Sequence, residues 1–116
     1  MKQRASQVAE ELRKIISMIL LDDLNDPRMG FVTVTRIDVS DDLKNAKVFY
    51  SVLGNQEQKK STQEALEENL AFIRHLTVER INLKFAIDLK FEEDKSIDYS
   101  FKIDTILKKI KRKEDL

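Results

Sequence analysis

Apolar residues along the first quarter of the chain recur three and four positions apart: Ala5, Val8, Ala9, Leu12, Ile15, Ile16, Ile19 and Leu20. That spacing places one buried stripe on a helix from about Arg4 to Asp23, with Arg4, Arg13 and Lys14 on its polar side. The period then drops to two. Phe31–Val39 and Ala46–Leu53 are rich in Val, Thr, Phe and Tyr and read as strands, with Ser40–Asn45 (SDDLKN) turning between them. The first strand changes parity, since Val32 and Val34 share one face and Ile37 and Val39 the other. A bulge near Thr35-Arg36 would let both pairs point into one core. In the second strand Ala46, Val48, Tyr50 and Val52 form the inward set, which leaves Lys47 and Phe49 outside.

Helical spacing returns with Leu66, Leu70, Ile73, Leu76 and Ile81, running to about Leu83. Ser61-Thr62-Gln63-Glu64 fits a capping box for its start. Such a length is large for a small domain and predicts a bend. Ile87, Leu89 and Phe91 alternate with Asp88 and Lys90 as a third strand. From about Ser96 the residues Ile97, Ile103, Ile106, Leu107 and Ile110 outline a C-terminal helix that frays into a charged tail. The order α-β-β-α-β-α makes this an α+β fold, with a three-stranded sheet covered on one face by helices.

At 116 residues the chain suits one domain, burying roughly 65% of its unfolded surface. No cysteine is present, which excludes disulfides and thiolate metal sites. No apolar run approaches membrane-spanning length, and the first residues are too charged for a signal peptide. The expectation is a cytoplasmic protein. The 21 basic and 21 acidic side chains balance, which argues against indiscriminate nucleic-acid binding. Their distribution is uneven: residues 107–116 hold five cations against two anions, whereas Leu20–Asp26 holds three aspartates and no cation. A neutral protein can therefore carry a basic face.

Catalytic chemistry finds little support. His75 sits on the second helix without a nucleophile or carboxylate pattern aimed at it, and reads as a solvated helix residue. Asp22, Asp23 and Asp26 lack a calcium-loop pattern, Glu92, Glu93 and Asp94 read as a solvated strand end, and no phosphate-cradling glycine motif occurs. Two classes of function stay open. One is an RNA-binding module whose cations meet a phosphate backbone; the other is a protein-interaction domain using an open sheet face or helix stripe. Salt separates them, because phosphate contacts weaken steeply with ionic strength and apolar docking does not.

The stretch Asn25–Thr35, NDPRMGFVTVT, holds the chain's one proline and one of its two glycines on either side of Arg28. Asp26-Pro27 is a turn start, and Gly30 supplies freedom before the strand. The first helix RASQVAEELRKIISMIL, the Asp26-Pro27-Arg28 turn, and Val32-Thr33-Val34-Thr35 together resemble the ribosome-binding factor A (RbfA) family. So do Ser40, Asp42 and Leu43 in the turn, Ala46-Lys47-Val48, Phe72-Ile73-Arg74 with Leu76, and Leu89, Phe91, Asp94 and Ser96. The likeness covers nearly the whole chain.

The resemblance implies a type II KH-like domain with a kinked second helix, here spanning 1–107 and followed by a charged tail at 108–116. Chains of that family place an Ala-x-Gly kink where a standard KH domain has its GxxG loop. Here the aligned residues are Asn69-Leu70-Ala71, with alanine in the glycine's place, so a shallower or differently made bend is expected. Ile87 stands where a proline is usual. The implied role is to bind the immature small (30S) subunit and assist late 16S rRNA maturation, including 5′-end processing, notably after cold shock and without cleaving RNA. The expected partner is 16S rRNA within the free subunit, met by a monomer needing no cofactor, membrane or small-molecule substrate. The alternative is a general protein-interaction or RNA-binding module unconnected with subunit maturation.

The candidate rRNA contacts are Lys2, Arg4, Arg13 and Lys14 on the first helix, Arg28 in the loop, and Arg74, Arg80 and Lys84 from the second helix. Arg36 and Lys47 on the strands are weaker candidates. Arg28, held by a rigid loop, could meet phosphate in a bidentate contact; the competing reading is that it merely pairs with Asp22, Asp26 or another nearby carboxylate. Phe49 either stays outside the core or packs under the C-terminal helix. The tail Lys108–Lys113 reads equally as an electrostatic anchor or as an inconsequential helix end.

Overall fold

The computed structural model describes residues 2–83 and 86–96, residues 2 and 3 by their backbone alone. The expected C-terminal helix, the 107/108 boundary, the charged tail and Lys84 lie outside the described residues. Helix α1 (Lys2–Met18) runs into a π-helical turn at Ile19–Asp23, followed by strands β1 (Phe31–Val39) and β2 (Asn45–Leu53). Helices α2 (Gln56–Glu68) and α3 (Leu70–Ile81) then lead to strand β3 (Asp88–Glu93). The sheet order is β1-β2-β3, antiparallel between the first two and parallel between the last two. The parallel pair requires a crossover, and α2 with α3 provides it. This α+β, KH-like arrangement is the one the spacing and the resemblance predict.

The α1 stripe is buried as its periodicity requires: Leu12, Ile16 and Ile19 are fully enclosed. They meet Val34 and Ile37 of β1, Val48, Tyr50 and Val52 of β2, and Leu66 and Ile73 of the crossover in one core. Burial of such side chains contributes about 1.5–3 kcal/mol each. The β1 bulge is present. Val34 pairs with Tyr50 and Arg36 with Phe49, so Thr35 is the extra residue and both Val34 and Ile37 point inward.

The start of α2 differs from expectation. Ser61 and Glu64 do not form its capping box; Asn55 and Gln58 do, six positions earlier. Asn55 Oδ1 accepts from Gln58 N–H at 2.9 Å, and Gln58 Oε1 accepts from Asn55 N–H at 2.8 Å. Both segments satisfy the pattern. The earlier one wins because residues 56–60 are sound helix formers, so the helix begins as soon as β2 has ended at Leu53 and Gly54, with φ +150°, has turned the chain. Gln58 Oε1 would lie 1.9 Å from a Cβ at that glycine.

The bend is real and is made by Asn69, at φ −98° and ψ 9°. This sparsely occupied region stops one helix without a left-handed residue, so Ala71 meets no backbone demand for glycine. Helix α3 itself ends on Asn82 in the left-handed conformation, where glycine is common.

Candidate nucleic-acid interface

Between the π turn and β1 the backbone is tied down at several points. Met29 N–H donates to Asp26 O at 3.1 Å, closing the turn around Pro27. Arg28 N–H donates to Asp26 Oδ1 at 3.0 Å, the local bond by which a turn aspartate replaces a backbone partner. Ser61 Oγ donates to Arg28 O at 3.1 Å, and Gly30 N–H donates to the buried Thr62 Oγ1 at 3.1 Å. Gly30 has no positive φ. Its role is this close seat on α2, not the conformational freedom expected of it. The misplaced capping serine and its neighbour thus anchor the loop.

The Arg28 side chain is engaged as well. Its Nε and Nη2 donate to Asp26 Oδ1 and Oδ2 at 3.1 and 2.7 Å, and Nη2 reaches Glu68 Oε2 at 2.8 Å. The pairing reading therefore describes the free protein. The Arg28 guanidinium and backbone N–H hold the Asp26 carboxyl well below its ordinary range, and the carboxylates of Asp26 and Glu68 push Arg28 upward. The Arg28 side chain keeps 36% of its surface in solvent.

Asn69 joins the same group. Its Nδ2 donates to Asp26 Oδ2 at 3.0 Å and to Ala65 O at 2.8 Å. Asp26 therefore binds the loop arginine with one set of lone pairs and the helix break with another. Nearby, Arg80 forms a two-bond pair with Asp23 at 2.8 and 3.1 Å, lowering that carboxyl and raising the guanidinium. Two of the three aspartates that resembled a cation site are thus occupied by arginines.

The remaining candidates are spread apart. Arg74 pairs with Asp88 at 3.0 Å on the β3 side of α3, whereas Arg80 faces the exit of α1. Arg4 and Arg13 are nine residues apart, about two and a half helical turns, and occupy opposite flanks of α1. Arg13 is held by Glu10 at 2.5 Å; Arg4 and Lys14 hold no carboxylate among the described residues. Arg4 lies about 25 Å of helix from the loop, beside a groove where Ala5, Ser6 and Ala9 meet Asp38 and Asp41.

Arg36 and Lys47 lie on the face of the sheet turned away from α1, α2 and α3. Arg36 stacks 4.1 Å above the Phe49 ring, with Lys47 5.9 Å from it, and they contact Asp38 and Glu92 at 3.7 and 3.4 Å. His75 is exposed and meets Glu79 at 3.2 Å.

The structure thus gathers Arg28 and Arg80 at the loop end, with Arg74 farther along α3, and separates the others by face or by length. Among the described residues, every arginine except Arg4 is paired with a carboxylate. Sequence reasoning missed Asn69 and Glu68, which complete the Arg28 site. The only hint was that Asn69 falls at the position aligned with the kink. No helix among the described residues is long and apolar enough to cross a membrane.

The family model described as Ribosome-binding factor A matches residues 4–107. A ribosome-binding factor A of Geobacter metallireducens is 42% identical over 114 residues, covering 98% of this chain and 97% of that protein. The solution NMR structure of a Thermotoga maritima protein assigned to the same family superposes with a TM-score of 0.69 and 35% identity, over 82% of this chain and 91% of that one. The fold also matches the Thermus thermophilus ribosome binding factor A homology model as fitted into the cryo-EM map of a 30S–RbfA complex. There the TM-score is 0.65 at 17% identity, covering 80% and 98% of the two chains.

Proposed function

The chain belongs to the ribosome-binding factor A family, and from that premise we propose that it binds the immature small ribosomal subunit as a cytoplasmic monomer. There it assists late 16S rRNA maturation, including processing of the 5′ end, without cutting RNA itself. It needs no cofactor and no small-molecule substrate. The observation that carries this reading is the near end-to-end match to a curated family member.

The contact surface centres on the Arg28 loop and extends to Arg80 and Arg74. Lys2, Arg4, Arg13 and Lys14 add cations along α1, Lys84 is a further contact, and Arg36 and Lys47 are peripheral on the opposite face. Pairing with acids suits such a surface. Exposed ion pairs contribute little to stability, so a phosphate can displace a carboxylate at small cost. The carboxylates also raise the phosphate density needed for binding, which favours folded rRNA over any stray polyanion. Contacts of this kind read shape and phosphate position rather than bases.

Sedimentation tests the reading. The protein should travel with free small subunits, much less with complete ribosomes, and release as salt rises. Equal retention on both particles would count against a maturation role. A second reading, docking on a protein, draws on the exposed cross-strand pair Phe31 and Leu53, with Phe31 81% exposed. Binding that is indifferent to salt would favour it.

A further inference from the structure

The helix break between α2 and α3 is not an isolated bend. The amide of Asn69 spans it, bonding back to Ala65 O in α2 and outward to Asp26 Oδ2 in the loop. Asp26 in turn holds Arg28 through both carboxylate oxygens. Glu68, the residue before the break, shares Nη2 of the same guanidinium with Asp26. Four side chains from two distant stretches of sequence therefore make one continuous unit: Asn69, Asp26, Arg28 and Glu68. Loop and break have to move together.

We propose that Asn69 is a positioning residue for the RNA contact of Arg28: its amide fixes Asp26, and Asp26 aims the guanidinium at phosphate. This rests on the reading of Arg28 as an rRNA contact. The two carboxylates on Arg28 differ in a useful way. Asp26 is mostly enclosed, its side chain 14% exposed, and it accepts four hydrogen bonds; Glu68 is 67% exposed. The exposed carboxylate is the one a phosphate can replace, while Asp26 keeps the fork oriented. An arginine already oriented loses less freedom on forming a bidentate contact.

The distinguishing feature is that an uncharged residue controls an ionic contact. Each phosphate contact adds about 0.7–0.9 to the slope of log affinity against log salt. Arg28→Ala removes a cation and should lower that slope by about one contact, with affinity for purified small subunits falling about tenfold. Asn69→Ala removes no charge. It should nevertheless lower the slope by a similar amount, with affinity falling about three- to tenfold, and adding Arg28→Ala to it should cost little more. Asn69→Asp, which keeps the shape but places a carboxylate against Asp26, should behave as Asn69→Ala does or worse.

A merely structural role for Asn69 would lower the thermal midpoint and leave the slope of the folded variant intact, and that result overturns the proposal. So do additive effects of the two alanine variants. If Arg28→Ala itself leaves affinity and slope unchanged, the reading of Arg28 as an RNA contact fails, and the positioning role fails with it. Should Asn69→Ala prove too unstable to assay, the Asn69→Asp slope decides, and an unchanged value contradicts the proposal.

Discussion

Two aspartates in this molecule do similar chemistry to different ends. Asp26 collects the backbone and side chain of Arg28 and the amide of Asn69. Asp94 lies just past β3 and collects Thr35 Oγ1 at 2.6 Å, Ser96 N–H at 2.9 Å and Ser96 Oγ at 2.5 Å. Its own N–H donates to Tyr50 O at 2.6 Å. Thr35 is the bulge residue of β1, so Asp94 pins the irregularity that lets Val34 and Ile37 share the core. Asp26 has a cation among its hydrogen-bond donors, whereas the donors to Asp94 are neutral and Arg36 acts on it only through its charge. The first site can offer charge to an incoming phosphate; the second can only hold its own strands. A multiply bonded carboxylate is therefore no sign of function until its partners are named.

The sharpest way to break this contrast is at Asp94. Asp94→Ala should lower the thermal midpoint by about 5 °C or more, because it removes three charge-assisted hydrogen bonds and frees the bulge, leaving Thr35 Oγ1 only its longer contact to Phe49 O at 3.3 Å. Salt-dependent binding to small subunits, read well below the midpoint, should stay within twofold. The same site predicts an acid limb. Its three hydrogen bonds, those of Ser96 foremost, lower the Asp94 carboxyl from the ordinary 3.8 to about 2. The unfolded chain thus takes up the proton first as pH falls. The stabilising contribution is complete above about pH 4 and disappears towards pH 2. Asp94→Asn should flatten that part of the acid-unfolding curve, and a limb that persists unchanged would remove Asp94 from the explanation.

At the loop, Arg28→Ala should give the reverse profile, with about tenfold weaker subunit binding and a midpoint shifted by only a few degrees. Thr35→Val sharpens the structural side. One donor to Asp94 is lost while the shape is kept, so stability should fall by about 1–2 kcal/mol in denaturant unfolding. The smallest expected effect is at Glu68. Glu68→Gln relieves Arg28 of one competing carboxylate and should tighten binding about twofold at low salt, with no gain at high salt.

Much of the fold was readable in advance because its signals are local and periodic. The α1 stripe, the strand alternation and the parity change at Thr35 follow from side-chain geometry alone. The start of α2 differs from expectation because two successive segments, Asn55–Gln58 and Ser61–Glu64, satisfy the same capping pattern, and only the end of β2 at Leu53 chooses between them. The bend was expected, but its agent was not: an asparagine can break a helix through a long-range bond that no local rule contains.

The cation surface was the least legible part. Spacing places Arg13 and Lys14 on α1 but does not say which flank meets α3. The pairs Arg80–Asp23 and Arg74–Asp88 join residues that only the folded chain brings together. Arg36 and Lys47 could be placed on an outward face from strand parity. That this face lies opposite the loop depends on which side of the sheet the helices cover.

The most direct test uses the absence of native cysteine. Single cysteines introduced at the exposed positions Asn25, in the loop, and Asp41, in the hairpin turn, would stand at opposite ends of a strand about 30 Å long. Each would carry a tethered iron–EDTA cleavage reagent on protein bound to small subunits. Strong, localised cuts in 16S rRNA from position 25 and weak ones from position 41 are expected if RNA meets the Arg28 end of the molecule. Cuts of equal strength from both, or from position 41 alone, would contradict that placement.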